Sequence, residues 1–192
     1  LGIDCKVIHP ADVPTNQKER LQKTDKADSR KLARMLKADQ FTAVHIPEQQ
    51  LEADRTLIRQ RFTIAKEVAR TKNRIKSLLL QYGITIPERF SLEQTRHWSR
   101  VYIDWLKQVP VGYETLRQTI DNYISIGLLQ RLELLRVTNQ VRALSKTYAY
   151  KENAEILVSI PGIGLITAMT LLTEIGDVKR FGRIDELCSF IG

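Results

Sequence analysis

The chain has 192 residues, 43% of them hydrophobic, enough apolar material for one generous domain or two small ones. Its net charge of +8, from 30 Lys and Arg against 22 Asp and Glu, favours a polyanionic partner or an acidic surface. Cys5 and Cys188 belong to no CxxC or Cys/His cluster, which excludes a zinc ribbon or a disulfide framework and suits a reducing cytoplasm.

The charge is uneven. Residues 1–90 hold 18 basic and 11 acidic side chains, 91–155 hold 9 and 7, and 156–192 hold 3 and 4, so the basic surface belongs to the first half. The chain opens at Leu1 without Met, and Asp4 and Lys6 interrupt its early apolar stretch, so no signal peptide is expected and the true start is expected upstream. The uncharged run 156–173 is broken by Pro161, Gly162 and Gly164, which favours a buried helical hairpin over a membrane span.

In chain order, residues 2–9 read as a strand ending at Pro10. After a polar loop, residues 24–38 read as a helix with Leu32, Met35 and Leu36 on its inner side. Residues 41–46 read as a second extended segment. Pro47 then opens a long helix that Gly83 ends. Within it Leu51, Ile58, Ala65, Lys72 and Leu79 are seven apart, with Val68, Ile75 and Tyr82 at the second heptad position, a pattern that asks for a partner helix. Residues 113–150 supply one, through Leu116, Ile120, Tyr123, Leu128, Leu132, Leu135, Val141 and Leu144. Trp98, Val101 and Trp105 mark a shorter helix between the two. An antiparallel helical hairpin or coiled coil is expected. The boundaries fall near Pro47 and at 151–154, giving segments 1–47, 48–150 and 151–192.

Three features carry chemistry. Asp25 and Asp28, three apart on a helix, share a face, where two carboxylates converge on a hard cation such as Mg2+ or serve simply as first-turn acids complementing the helix dipole. The run around Pro161, Gly162, Gly164 and Thr167 has the look of a helix-hairpin-helix, whose glycines let backbone approach a phosphate and whose second helix offers free amides. It reads equally as a turn joining two core helices. Arg55, Arg59, Lys66, Arg70 and Arg74 fall on one face of the long helix. From Arg55 to Lys76 there are eight basic residues and one acid, Glu67, an imbalance suited to phosphate binding, although a solvated charged face has the same pattern. Arg61, Lys72 and Lys76 point to the apolar side, where their stems cover a partner helix. His9, His45 and His97 have no ligand spacing and read as structural.

The order of Cys5-Lys6-Val7-Ile8-His9-Pro10, a polar loop, Lys23-Thr24-Asp25-Lys26-Ala27-Asp28-Ser29-Arg30-Lys31-Leu32-Ala33 and Ile46-Pro47 resembles the IS110 family of insertion-sequence transposases, and the likeness runs through essentially all of the chain. The resemblance implies an RNase H-like (RuvC-like) DEDD domain, a coiled coil and a C-terminal transposase domain. It makes Asp25 and Asp28 the last two of four acidic metal ligands, with Ser29 where Ala is usual. Asp4 and Asp12 are the only acids before Glu19, and neither sits where the family places its earlier pair. A serine nucleophile is implied beyond the segment matched by Glu186-Leu187-Cys188-Ser189-Phe190-Ile191-Gly192, so Ser189 does not take that role.

The sequence therefore reads as a mixed α/β, mostly helical chain: the end of an RNase H-like domain (1–47), a helical hairpin or coiled coil (48–150) and the start of a helical transposase domain (151–192). By resemblance the intact protein cuts and rejoins DNA with Mg2+, a serine and a guide RNA encoded by the element; the hairpin pattern adds an expected homo-oligomer, and no membrane is expected. This chain alone is expected to be an inactive DNA-binding fragment. Two other readings stand beside it: a non-catalytic helix-hairpin-helix nucleic-acid-binding protein, and a helical dimerisation scaffold.

Overall fold

The computed structural model describes residues 5–10, 13–14, 24–40, 43–91 and 98–192. The chain forms two compact units, Leu1–Glu48 and Gln49–Gly192.

The first unit is built around helix α1, Asp25–Lys37. Thr24 caps it in extended backbone, its hydroxyl accepting from the Ala27 amide at 3.3 Å. Acids in the first turn (Asp25, Asp28) and bases in the last (Arg34, Lys37) both complement the helix dipole. Of the three apolar residues expected inside, only Met35 is buried. Leu32 and Leu36 remain 40% and 57% exposed. Residues 2–4 and 41–42 of the expected strands lie outside the described residues. What is described of them makes one isolated antiparallel bridge, Ile8 with Ala43, where the Val44 amide donates to the Val7 carbonyl at 2.7 Å. One bridge is not a ladder: among the described residues there is no strand, and the described chain is mostly helical as expected, with no sheet to make it α/β.

The second unit is all helical among its described residues. Helix α2, Gln49–Gln81, runs for 33 residues. It stops at Gly83, whose φ of +67° closes the end so that the Ile84 amide reaches the Leu79 carbonyl at 2.9 Å. A short helix α3 (Glu88–Ser91) precedes α4 (Arg100–Gln108), capped by the Ser99 hydroxyl on the Tyr102 amide. Helix α5, Glu114–Leu144, then returns along α2. The direction is fixed by two bridges: Arg61 donates to Thr138 at 3.1 Å and Thr71 to Gln130 at 2.8 Å, so numbers rise on one helix as they fall on the other. The hairpin is antiparallel, as the heptad pattern led one to expect.

Two cores hold it. Ile75, Leu79, Leu116, Ile120 and Ile124 meet Phe90, Trp98, Tyr102 and Leu106 at one end. There Gly127 is required, since a Cβ would overlap the Trp98 indole. At the other end Ile58 and Val141 pack with Tyr150, Ala154 and Met169. Those last residues belong to the turn after α5, to α6 (Lys151–Val158) and to α7 (Leu165–Ile175). The 113–150 helix is therefore shorter than expected. The Ser145 and Thr147 hydroxyls donate to the Arg142 and Leu144 carbonyls, and the chain turns before α6. A 3-10 turn, Val178–Arg180, leads to α8, Ile184–Ile191. No described helix is long and apolar enough to cross a membrane.

Candidate functional site

Asp25 and Asp28 stand one turn apart on α1, both exposed, as the first-turn position dictates. Two free carboxylate side chains on one face fit a hard cation as part of its oxygen shell. Among the described residues no group of three or more His, Cys, Asp or Glu side chains gathers to complete such a shell. Asp4 and Asp12 lie outside the described residues.

The turn between α6 and α7 is exposed at Pro161, Gly162, Gly164 and Thr167. Gly162 has φ +91°, a left-handed conformation that L side chains rarely adopt, so its glycine is explained by the turn itself. Gly164 is different. It caps α7 with φ −85° and ψ 166°, ordinary extended backbone, and a Cβ there would meet nothing within 4 Å. No side chain caps α7, so the first amides of this 11-residue helix have no side-chain acceptor, beside an N-cap residue that neither φ nor packing requires to be glycine.

The basic stripe on α2 divides. Lys66, Arg70 and Arg74 are exposed. Arg70 pairs with Glu67 along the helix, and with Arg74, Asn73, Ser77, Gln81 and the Tyr123 ring it lines an open groove of about 390 Å³ between α2 and α5. Arg55 does not belong to an open face. Its side chain is 13% exposed, paired with Glu52 at 2.7 Å and donating to the Thr173 carbonyl at 3.0 Å and that of Glu174 at 3.3 Å. Arg59 is 57% exposed but forms a fork with the Glu174 carboxylate, two bonds of 2.7 Å each. That fork pushes the Glu174 carboxyl below its ordinary range and holds the Arg59 guanidinium above its own. So the first two arginines of the stripe anchor the C-terminal end of α7 on α2, a role hidden from the sequence because the acid lies 115 residues away.

Residues 1–84 match the family model of DEDD transposases of IS110, described as transposase, and residues 154–192 match that of the transposase IS116/IS110/IS902 family. The chain belongs to the IS110 family of transposases. It is 28% identical over 180 residues to the transposase for insertion sequence element IS1533 of Leptospira borgpetersenii, covering 93% of this chain and 50% of that one. It is 30% identical over 197 residues to putative transposase y4qE of Sinorhizobium fredii (100% and 44%), and 26% over 196 residues to the transposase for IS1111A of Coxiella burnetii (100% and 50%). The chain spans about half the length of the curated relatives it matches.

In this IS110-family chain the first matched region holds Asp25 and Asp28, and the second begins at the helix that leads into the glycine turn. A DEDD family implies divalent-metal chemistry. A second anchor went unread in the sequence. The Tyr150 hydroxyl donates to the buried Asp54 carboxylate at 2.7 Å, and Gln50 donates to its other oxygen at 2.9 Å. Burial and the Asp54 charge both push the Tyr150 phenol above its ordinary range, so it stays protonated and keeps donating. This bond ties the start of α6 to the first turns of α2. The only sequence signal was an Asp at an otherwise core-facing position.

Proposed function

We propose that this chain carries the DNA-gripping part and one half of the metal-ligand set of an insertion-sequence transposase. Asp25 and Asp28 would hold a divalent ion, Mg2+ by preference for hard carboxylate oxygens, together with acids beyond the described residues. When bound, the ion would activate and stabilise the oxygens exchanged in DNA strand cleavage. The chain's own contribution is to present these two carboxylates side by side on a capped helix end.

DNA contact is assigned to two places: the turn at Pro161, Gly162, Gly164 and Thr167, and the exposed cations Lys66, Arg70 and Arg74, with Arg59 at the margin. The observation that carries the reading is Gly164. Neither its φ nor its packing requires glycine, although glycine is a better N-cap than alanine, and it stands beside α7 amides that have no side-chain acceptor, where a phosphate oxygen would come closest to backbone. Such contacts fix a duplex without reading its sequence. A guide RNA would offer the same phosphate chemistry to the α2 cations.

The hairpin also supports self-association, through Leu129, Leu132 and Leu135 on α5, which are 68%, 65% and 55% exposed. The test of the central reading is a gel-shift titration of the purified chain on duplex DNA, comparing wild type with a Lys66→Gln/Arg70→Gln/Arg74→Gln triple variant. Binding that falls steeply with salt, and a shallower slope in the variant, is expected. Identical slopes would refute the assignment of the stripe.

A further inference from the structure

Lys72 and Lys76 come two residues after Arg70 and Arg74; at about 100° per residue they stand about 160° and about 120° round α2 from the middle of the Lys66–Arg70–Arg74 row. Both are half-buried, and their stems line one narrow recess with Ile75, Trp98 and Tyr102. Arg131 reaches this edge from α5, where its guanidinium donates to the Trp98 carbonyl at 2.6 Å and is held beside Lys72. No carboxylate among the described residues bonds to any of these three cations. Burial, then Arg131 and Lys76, push the Lys72 amine below its ordinary range. The buried Trp98 indole N–H, in the same recess, has no acceptor among the described residues. Among the described residues, three cations and a bare donor are thus gathered without a bonded counter-charge. Burial and the two neighbouring cations both disfavour the charged Lys72 amine, a cost that Lys72→Met would relieve.

We propose that Lys72, Lys76 and Arg131 form a second phosphate-binding site, on the face of the α2–α5 hairpin opposite the arginine stripe, and that its ligand is a phosphate of a nucleic-acid backbone. The recess is too narrow to admit a water molecule, so the phosphate sits at its mouth, among the cationic head groups. Arg131 supplies planar N–H donors in an orientation set by the Trp98 carbonyl, and the lysines supply point charges. An anion relieves the repulsion, so binding and stability are coupled. This deepens the DNA-gripping role proposed above: the hairpin would hold nucleic acid on both faces.

The experiment uses the 192-residue chain and its Lys72→Met and Lys76→Gln variants. Three probes are titrated in turn: inorganic phosphate, a DNA duplex and an RNA hairpin. Lys72→Met is expected to raise the melting temperature without ligand, and to make the logarithmic salt slope for at least one nucleic acid shallower by about one, with Lys76→Gln acting in the same direction. A purely structural lysine would move the melting temperature and leave the slope alone, and that result overturns the proposal. Phosphate that raises the wild-type melting temperature while neither slope changes marks a free-anion site and overturns the nucleic-acid assignment. Which polymer loses slope tells DNA from RNA. If the variants keep the slope while the Lys66/Arg70/Arg74 triple variant loses it, the second site fails and the first reading stands. A wild-type chain without salt-dependent binding removes both.

Discussion

Replacing Gly164 by Ala separates a structural glycine from a functional one. An N-cap alanine is worse than glycine by roughly 0.5–1 kcal/mol, because Ala neither accepts from the free amides nor exposes them to water as well. Removing a glycine from the unfolded chain returns about 0.4–1 kcal/mol. With φ −85° and open space around the new methyl, no strain is added, so the two terms nearly cancel and the melting temperature should shift by no more than about 2 °C. DNA affinity should fall instead. A methyl at the point of closest approach pushes a phosphate off one or two amide hydrogen bonds worth about 1 kcal/mol each, a five- to thirtyfold weakening. Gly162→Ala is the control. Its φ of +91° makes it costly to stability, by roughly 1–3 kcal/mol, whether or not DNA binds there. Differential scanning fluorimetry and a gel-shift titration measure both quantities. Gly164→Ala with unchanged affinity would mean the glycine is incidental and the turn only joins two core helices.

Changing Asp25 or Asp28 to Asn in the intact transposase should abolish strand cleavage while leaving the melting temperature within about 1 °C, because both side chains are exposed and only a ligand charge is lost; wild-type cleavage by both variants rules out the metal role. With Mg2+ and supercoiled plasmid, the 192-residue chain should bind without nicking, since two carboxylates hold a divalent ion weakly; EDTA-sensitive nicking that vanishes in Asp28→Asn contradicts this. Glu174→Gln should cost roughly 0.5–1 kcal/mol at neutral pH. The Glu174 carboxyl titrates below its ordinary value of 4.5, so the wild-type advantage is complete above that value and lost as pH falls through the folded carboxyl's own lower pKa; an advantage that persists in strong acid argues against the fork. Leu129→Glu with Leu132→Glu should leave the hairpin folded and lower the mass seen by light scattering; an unchanged mass removes the α5 stripe as a self-association surface.

Local chemistry was legible where its cause is local. Thr24 and the acids after it marked the start of α1, the heptad from Leu51 to Leu79 announced a partnered helix, and Gly83 marked its end. Periodicity could not say which face of α5 the partner takes. Leu116, Ile120 and Val141 are buried against α2, whereas Leu128, Leu132 and Leu135, read onto the same apolar side, are exposed because the helix carries more apolar residues than one neighbour covers. Nor could spacing show that Arg55 and Arg59 spend their charge on the end of α7, or that Trp98 settles against Gly127, for each depends on a partner brought close only by the chain's return. The strand reading finds little support among the described residues for a related reason. Alternation favours extended backbone, but a ladder needs a run of paired neighbours, and among the described residues the backbone of 5–10 makes one bridge to the 43–44 segment.

Anchoring the far end of α7 on α2 through Arg55, Arg59 and Glu174 turns the helical unit into a caliper. Its glycine turn is one jaw and the Lys66–Arg70–Arg74 row, about 12 Å from end to end, is the other. Sliding the far end of α7 along α2 would break the bidentate Arg59–Glu174 fork, so the two helices keep one register. On the proposed reading, a duplex held at both places would have to bring its phosphates to them at one spacing, so a bend or a change of groove width would alter affinity even where the bases are the same. A clamp of that kind would let backbone contacts alone prefer one DNA shape over another.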